Sequence, residues 1–364
     1  MHKKRIKVGF FVPSLTSGGA ERIMAFISQA IAKEKFETVL VSVGHEKDTK
    51  YDVSNTKVIY LNQDRVLTAL PALYKILKTE NFDVTMSAIR HMNALMGFLS
   101  LFFKKTKFIG REANVMSVLD NFKEPNDRDY PNWVYKFAYR QLDAIVCQSN
   151  DMLNDLSKEF PQFKSKYELI NNPITDGFKP KEKTTLASEP LQFITVASLE
   201  PRKGHLRVLE GLARLDVDFK YYMIGKGSLE DEIFTNAERL GIREKVKHIP
   251  FTKEIKKHLA DSNVFIQGSY VEGFPNALLE SCAVGTPVIA FNAPGGINEI
   301  IQNGENGFII ETPSELKESI HKILNTDNFS PEKVSKSVFE KYHSTVIIKR
   351  YEQLFEKLNT NLTI

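Results

Sequence analysis

Two glutamates lie eight positions apart in the stretch Glu272-Gly273-Phe274-Pro275-Asn276-Ala277-Leu278-Leu279-Glu280. On one continuous helix their carboxylates would stand about 12 Å apart along the axis, too far to act on one group. Gly273 and Pro275 resolve this by placing Glu272 in a loop ahead of the helix. Proline is tolerated in a first turn, where its missing N–H costs little. Asn276 is the expected cap, the helix is expected over 277–283, and Gly285 is expected to stop it. The N–H groups of Phe274, Asn276, Ala277 and Leu278 would then surround an anion at the positive end of the helix dipole. One acid lies beside that anion and one behind it. A sugar nucleotide has the matching shape: sugar hydroxyls, a diphosphate, then ribose hydroxyls. Arg202 and Lys203 follow the first strand of the second half, and Gly204 allows close backbone approach. With the helix N-terminus they would hold the diphosphate and stabilise charge on it as a glycosidic bond breaks, without metal. No Asp-x-Asp pair is read as marking a metal site.

An ordered series accompanies the acid pair: Thr16-Ser17-Gly18-Gly19-Ala20-Glu21, Asn172-Pro173, Lys203-Gly204, Gly225-Lys226-Gly227 and Gly285-Thr286-Pro287-Val288. A lone E-x7-E is a weak signal, but this series covers nearly the whole chain. It resembles the retaining glycosyltransferases of family 4, which have the GT-B fold: α/β, two Rossmann-like domains facing across a cleft. The resemblance implies that Glu280 binds ribose hydroxyls, Glu272 binds donor-sugar hydroxyls and Gly225 lines the nucleotide. Gly18 and Gly19 would lie at the donor sugar and acceptor. It implies a retaining hexosyltransferase with no cofactor, a UDP-linked hexose or N-acetylhexosamine being the favoured donor. The acceptor would be a saccharide or lipid-linked, in polysaccharide or lipopolysaccharide synthesis. A double displacement needs a carboxylate nucleophile. The pattern engages Glu272 with other hydroxyls, so front-face attack by the acceptor, helped by the leaving phosphate, is the expected route. The family usually has an Arg where this chain has Ser198. Arg202 would replace it from the next turn of loop, or the diphosphate would rest on Lys203. A nucleotide-sugar epimerase or hydrolase on the same fold, and a non-catalytic binding subunit, are the competing readings.

The elements that must position these residues are legible as strand–helix alternation. A buried strand over 6–12 leads into the loop 13–19 and a helix over 20–32; alone, this Gly-Gly is equally an ordinary tight turn. Strands follow at 38–43 and 58–61, a helix at 67–78, and a strand at 84–87 that opens into Ile89-Arg90-His91-Met92-Asn93. An apolar helix to 103 and a strand over 108–110 precede Arg111-Glu112-Ala113-Asn114. Polar groups just past strand ends lie where open α/β sheets bind ligands. Arg90, Arg111 and Asn114 are therefore acceptor candidates and His91 a catalytic one, although a lone His is more often structural. Residues 121–133 read as loop. Trp133, Val134, Phe137 and Ala138 then recur at helical spacing, with core packing expected and a membrane-facing patch as the alternative. A strand at 144–148, a helix from Ser149 and a strand at 167–170 close the first half. The second half starts over: strands at 192–199, 220–224, 247–249, 264–267 and 288–291, helices at 206–215, 229–240, 255–261 and 277–283. The expected domains are 1–172 and 173–344, with 179–190 as hinge and 345–364 as a helix returning to the first domain.

The chain has 364 residues, 42% of them hydrophobic, enough for two cores. Cys147 and Cys282 sit in apolar or helical contexts and suggest buried thiols in a reducing compartment. Met1-His2-Lys3-Lys4-Arg5 runs directly into a strand, with no signal-peptide pattern, and the apolar run at 94–103 is too short to span a bilayer. The expected location is cytoplasmic, with attachment at the cytoplasmic face of the membrane. Residues 1–172 carry 25 Lys/Arg and 19 Asp/Glu, and residues 173–364 carry 24 and 26. The excess of six cations in the first half favours an anionic surface or a phosphorylated acceptor, or is merely solvated. Nucleic acid is not expected, since no binding motif accompanies the charge.

Overall fold

The computed structural model describes residues 4–16, 18–122, 130–175, 177–182 and 190–360. They form two compact units. Unit 1 comprises Met1–Ala113, Glu124–Thr175 and Ser344–Ile364, and unit 2 comprises Asn114–Lys123 and Asp176–His343. The division after Thr175 falls three residues beyond the expected 172. The stretch 114–123, assigned by sequence to the first domain, clusters with unit 2. The expected hinge at 179–190 lies mostly outside the described residues.

Unit 1 holds β1 (Ile6–Val12), β2 (Phe36–Ser42), β3 (Lys57–Tyr60), β4 (Val84–Ala88), β5 (Lys107–Arg111), β6 (Ala144–Cys147) and β7 (Tyr167–Leu169). They form one parallel sheet in the order β3-β2-β1-β4-β5-β6-β7. Unit 2 repeats the plan with β8 (Leu191–Val196), β9 (Phe219–Ile224), β10 (Val246–Ile249), β11 (Val264–Gln267), β12 (Val288–Phe291) and β13 (Gly307–Ile310). Its parallel order is β10-β9-β8-β11-β12-β13. Each unit is thus doubly wound, and each sheet reverses direction once, at β1/β4 and at β8/β11. Strands β4, β6, β11 and β12 are buried throughout, as parallel strands covered on both faces must be. That is why they read as short unbroken apolar runs.

The α-helices are α1 (Gly19–Ala30), α2 (Leu70–Glu80), α3 (Arg90–Leu99), α4 (Met116–Leu119), α5 (Asn132–Gln141), α6 (Asn150–Glu159), α7 (His205–Leu212), α8 (Glu230–Arg239), α9 (Ile255–Asp261), α10 (Asn276–Ala283), α11 (Ile297–Ile300), α12 (Leu316–Leu324), α13 (Pro331–Tyr342) and α14 (Ser344–Thr360). β13, α4 and α11 to α13 were not anticipated. Four-residue elements such as β13 and α11 are too short to show a period. α3 begins at Arg90, so Arg90, His91 and Asn93 stand on a helix rather than in an open loop. α14 buries Ile347, Ile348, Tyr351, Leu354, Phe355 and Leu358 in the core of unit 1, a stripe at helical spacing. Phe355 meets Phe10 of β1 edge-on at 6.0 Å. The Glu352 carboxylate accepts the Ala32 N–H at 2.9 Å, just past α1. Each buried Ile, Leu or Phe of that stripe contributes about 1.5–3 kcal/mol, which docks α14 firmly on unit 1. Both cysteines are free and buried, and burial pushes each thiol up.

Candidate active site

In doubly wound sheets ligands bind beyond the carboxyl ends of the strands, where the order reverses. In unit 2 that point lies between β8 and β11, and two loops leave it. The first runs from Ala197 to Gly204 and ends in a 3-10 turn, Pro201–Lys203. The second runs from Gly268 to Pro275 and enters α10. Gly204 joins them: its φ of 59° is left-handed, and a Cβ there would lie 1.9 Å from the Gly268 oxygen. Only glycine lets the loops approach this closely. Lys203 Nζ then reaches Glu272 Oε1 at 2.6 Å, and Ser269 Oγ donates to the same oxygen at 2.6 Å. Tyr270 N–H donates to the Arg202 carbonyl at 2.8 Å.

The backbone of Glu272 is held from two other directions. Its N–H donates to Pro294 O at 3.0 Å, and its carbonyl accepts the Val115 N–H at 3.4 Å. Gly295, at φ 121°, packs so closely that a Cβ would lie 2.2 Å from that carbonyl oxygen. Burial pushes the Glu272 carboxyl up, but Lys203, with help from Ser269 and Arg202, overrides it and holds the group below the usual carboxylate range. The acid is therefore ionised and positioned, an acceptor for hydroxyl groups. Arg207 of α7 clamps the same loop. Its Nε donates to Gly268 O at 2.7 Å, a second nitrogen donates to Ser269 O, and the guanidinium lies 3.9 Å from the Tyr270 ring centre. Tyr270 stacks on Phe122 of the 114–123 stretch at 5.6 Å.

α10 starts one residue earlier than expected. Pro275 occupies the cap position with no side-chain cap bond, and Asn276 is the first helical residue, a correction to the role expected of it. The first helical bond runs from Leu279 N–H to Pro275 O at 3.1 Å. The N–H groups of Asn276, Ala277 and Leu278 precede it and have no acceptor within the helix. Phe274 is buried against Tyr342 at 5.4 Å. Glu280 is buried on α10, about one turn behind that helix start. Gly285, at φ 81°, ends the helix region as expected, its N–H donating to Cys282 O at 2.8 Å.

The two cations are more committed than the sequence implied. Arg202 Nε pairs with Glu200 Oε2 at 2.8 Å, while Lys203 pairs with Glu272. The Ser198 carbonyl accepts a hydrogen bond from buried His205 Nε2 at 2.9 Å. Burial, opposed by that bond and reinforced by Lys203 and His248, lowers the His205 pKa to about 4, so the ring is neutral. Gly225 follows β9: its N–H donates to Ile249 O at 3.0 Å and its carbonyl faces His248 Nε2 at 2.8 Å. The chain does contain two Asp-x-Asp spacings, at 127–129 and 216–218. The first lies outside the described residues. In the second, Asp216 pairs with Lys317 and Asp218 with Lys245 on the surface. Among the described residues no three His, Cys, Asp or Glu side chains are grouped as a metal site.

Unit 1 gathers its polar groups at β1/β4/β5. Gly18 precedes α1 and exchanges hydrogen bonds with the Tyr51 hydroxyl; Gly19 opens the helix and is exposed. Ile89, between β4 and α3, has φ 76°, a strained conformation for a β-branched residue. Its N–H donates to Arg111 O at 3.1 Å. His91 is half-buried on the first turn of α3. Arg111 is fully buried: it donates to Tyr351 and Asn172, and its Nη1 has no partner. Arg90 is buried too, paired with Glu159 at 2.6 Å and set 4.2 Å from the Tyr135 ring centre. The structure thus gives Arg90 a packing role. Asn114 is half-buried and belongs to unit 2. Sequence reasoning passed over Glu112. It is buried beside Arg111, accepts from Asn93 at 2.7 Å and Tyr139 at 2.6 Å, and keeps a second oxygen without a partner. Its position just past β5 was the available signal. Ser269 and Arg207 carried no local signal at all.

Two parallel-sheet units with loops of this kind have known relatives. Residues 17–177 match the model of Glycosyltransferase Family 4, and residues 178–340 match that of Glycosyl transferases group 1. The chain belongs to glycosyltransferase family 4. This family-4 glycosyltransferase is 26% identical over 322 residues to the N-acetylgalactosamine-N,N'-diacetylbacillosaminyl-diphospho-undecaprenol 4-alpha-N-acetylgalactosaminyltransferase of Campylobacter jejuni, spanning 85% of this chain and 87% of that one. Anabaena HepE, solved in complex with UDP and glucose, shares the fold at a TM-score of 0.78 and 17% identity, over 98% of this chain and 100% of its own. Sucrose-phosphate synthase from Thermosynechococcus elongatus does so at 0.82 and 14%, over 98% and 100%. The two units are those of a GT-B glycosyltransferase, and its relatives build polysaccharides and glycoconjugates.

Proposed function

We propose that the protein transfers a hexose or N-acetylhexosamine from a UDP-linked donor to a saccharide or lipid-linked acceptor, with retention of configuration and without a metal ion. The observation that carries this reading is the set of groups at β8/β11. An ionised, immobilised Glu272 stands beside the start of α10, and buried Glu280 stands behind it. Their order matches a donor that presents sugar hydroxyls, then a diphosphate, then ribose hydroxyls. The first-turn N–H groups of α10, which point out of the helix start, and the Lys203 ammonium would bind the diphosphate as charge grows on it. Lys203 carries three donors and Arg202 five, and each spends one, on Glu272 and Glu200, so both keep donors for this task. Glu272 is already held by Lys203 and Ser269, which favours hydroxyl binding over a nucleophilic role. Attack by the acceptor on the donor's front face, with the leaving phosphate taking the proton, is the route in keeping with that. UDP in the HepE complex supports the choice of base, and the Campylobacter relative, named for a diphospho-undecaprenol substrate, supports a lipid-linked acceptor, for which attachment at the cytoplasmic face of the membrane is part of the proposal.

A screen of UDP-sugars for released UDP, with and without lipid-linked saccharide, tests the donor and acceptor together. Titration of UDP tests the site: Glu280→Gln is expected to weaken binding more than Glu272→Gln. Equal losses would remove the order of the two acids along the donor. The anomeric proton coupling of the product tests retention.

A further inference from the structure

Arg207 lies on the first turn of α7, half-buried, and among the described residues it pairs with no carboxylate. Carbonyl oxygens and ring faces take the place of one. β11 ends at Gln267, and the next two carbonyls, of Gly268 and Ser269, both accept from this guanidinium. The ring centres of Tyr270 and Phe291 lie 3.9 and 4.4 Å from its central carbon, within cation–π range. Phe122 stacks on Tyr270 at 5.6 Å. One stack thus runs from the 114–123 stretch through the Glu272 loop and α7 to buried Phe291 of β12. A Cβ on Gly204 would stand 3.0 Å from Arg207 Nε, so the bare glycine leaves the guanidinium its path. Lysine is no substitute here. Its ammonium is a point charge, without the planar fork that meets two carbonyls and two rings at once.

Ser269 carries this restraint to the acid. Its carbonyl is held by Arg207, while its hydroxyl donates to Glu272 Oε1 at 2.6 Å. Ser269 is buried, so neither bond is open to bulk water. The Glu272 backbone is fastened separately, to Pro294 and Val115. Loosening Arg207 would therefore leave the Glu272 backbone where it is and release the Ser269 hydroxyl. The carboxylate would keep Lys203 as its one side-chain partner and could turn about that single bond. α10 and Glu280 follow the fastened backbone in the chain and touch neither Arg207 nor its two carbonyls through any hydrogen bond that holds this loop.

We propose that Arg207 is a positioning residue for the donor sugar: acting through Ser269, it orients the Glu272 carboxylate toward the sugar hydroxyls and leaves the nucleotide half of the site unaffected. The assignment rests on the proposed role of Glu272. Isothermal titration of the full-length protein with UDP, UDP-glucose, UDP-N-acetylglucosamine and UDP-N-acetylgalactosamine tests it. UDP reads the nucleotide half, and the ratio of UDP-sugar to UDP affinity reads the sugar half. Arg207→Lys is expected to leave UDP affinity unchanged and to lower that ratio about tenfold for the UDP-sugar the parent binds most tightly, the cost of one hydrogen bond to a charged group. Ser269→Ala should do the same alone and add nothing in the Arg207→Lys background, since both remove one restraint. Tyr270→Phe, which keeps the ring face, should match the parent, and Tyr270→Leu should lower the ratio. Circular dichroism checks the fold of each variant. Should Arg207→Lys not fold, Ser269→Ala and Tyr270→Leu carry the test. An unchanged ratio in these variants, an equal loss of UDP and UDP-sugar affinity, or additive losses in the double variant overturns the proposal. Glu272→Gln in the same titrations tells the two failures apart. A ratio that it lowers while the other variants do not sinks the role of Arg207 alone, and a ratio that it leaves unchanged sinks the role of Glu272 and the proposal with it.

Discussion

Replacing Lys203 by methionine removes a charge while keeping most of the side chain's volume. Lys203 and Glu272 approach to 2.6 Å, and each side chain is only 12% exposed. Exposed pairs contribute about 0–1 kcal/mol, whereas deleting one partner of a buried pair costs about 3–5 kcal/mol because the other charge is stranded. The limited exposure places this pair in the second class. Lys203→Met should therefore destabilise unit 2 by about 3 kcal/mol, the low end, because Ser269 still donates to Glu272. The double variant Lys203→Met/Glu272→Gln should recover most of the loss. The pH dependence should also reverse. In the parent, Glu272 lies below the ordinary 4.5, so its contribution is present above that value and lost as pH falls through the lowered one. In Lys203→Met, burial is no longer outweighed and the carboxyl rises above 4.5. Its penalty, present at neutral pH, is then relieved as pH falls through the raised value. The single tryptophan, Trp133, reports unit 1, so hydrogen exchange of β11 and α10 amides in urea is the suitable assay. A loss under about 1 kcal/mol, or a double-mutant coupling that small, would refute the buried-pair reasoning.

Turnover is expected to survive excess EDTA after dialysis, because Lys203 and the α10 N–H groups are assigned to the diphosphate. Activity lost to chelation and restored by Mg²⁺ or Mn²⁺ would contradict that assignment. His205 should make unit 2 acid-sensitive. Its pKa of about 4 lies below the ordinary 6.5, so the unfolded chain takes up the proton first and about 3 kcal/mol of stability is lost between pH 6.5 and 4. His205→Gln keeps a donor for the Ser198 carbonyl and should flatten that slope in denaturant titrations. An unchanged slope would show that other groups carry it.

The doubly wound architecture was legible in the sequence because its signals are local. Buried parallel strands appear as short apolar runs, and glycine and proline mark their ends; β1, α9, β11 and β12 coincide with the expected spans. The placement of Glu272 in a loop and Glu280 on a helix followed from Gly273 and Pro275 for the same reason. Tertiary structure decided what no window of sequence contains. Lys203 and Glu272 are 69 positions apart, and their pairing depends on two loops that meet through Gly204 and Gly268. Arg90 read as a ligand contact at a strand end, but α3 starts there and turns it onto Glu159, another 69 positions away. The Ser198 carbonyl accepts a hydrogen bond from buried His205, a partner the sequence did not mark. Helical spacing on α5 is the same for a residue facing the core and one facing out at the edge of that stripe. Only the packing of α3 and α5 left Trp133 exposed. Spacing sets which residues share a face; the neighbours that the sheet order brings against that face determine whether it becomes core, site or surface.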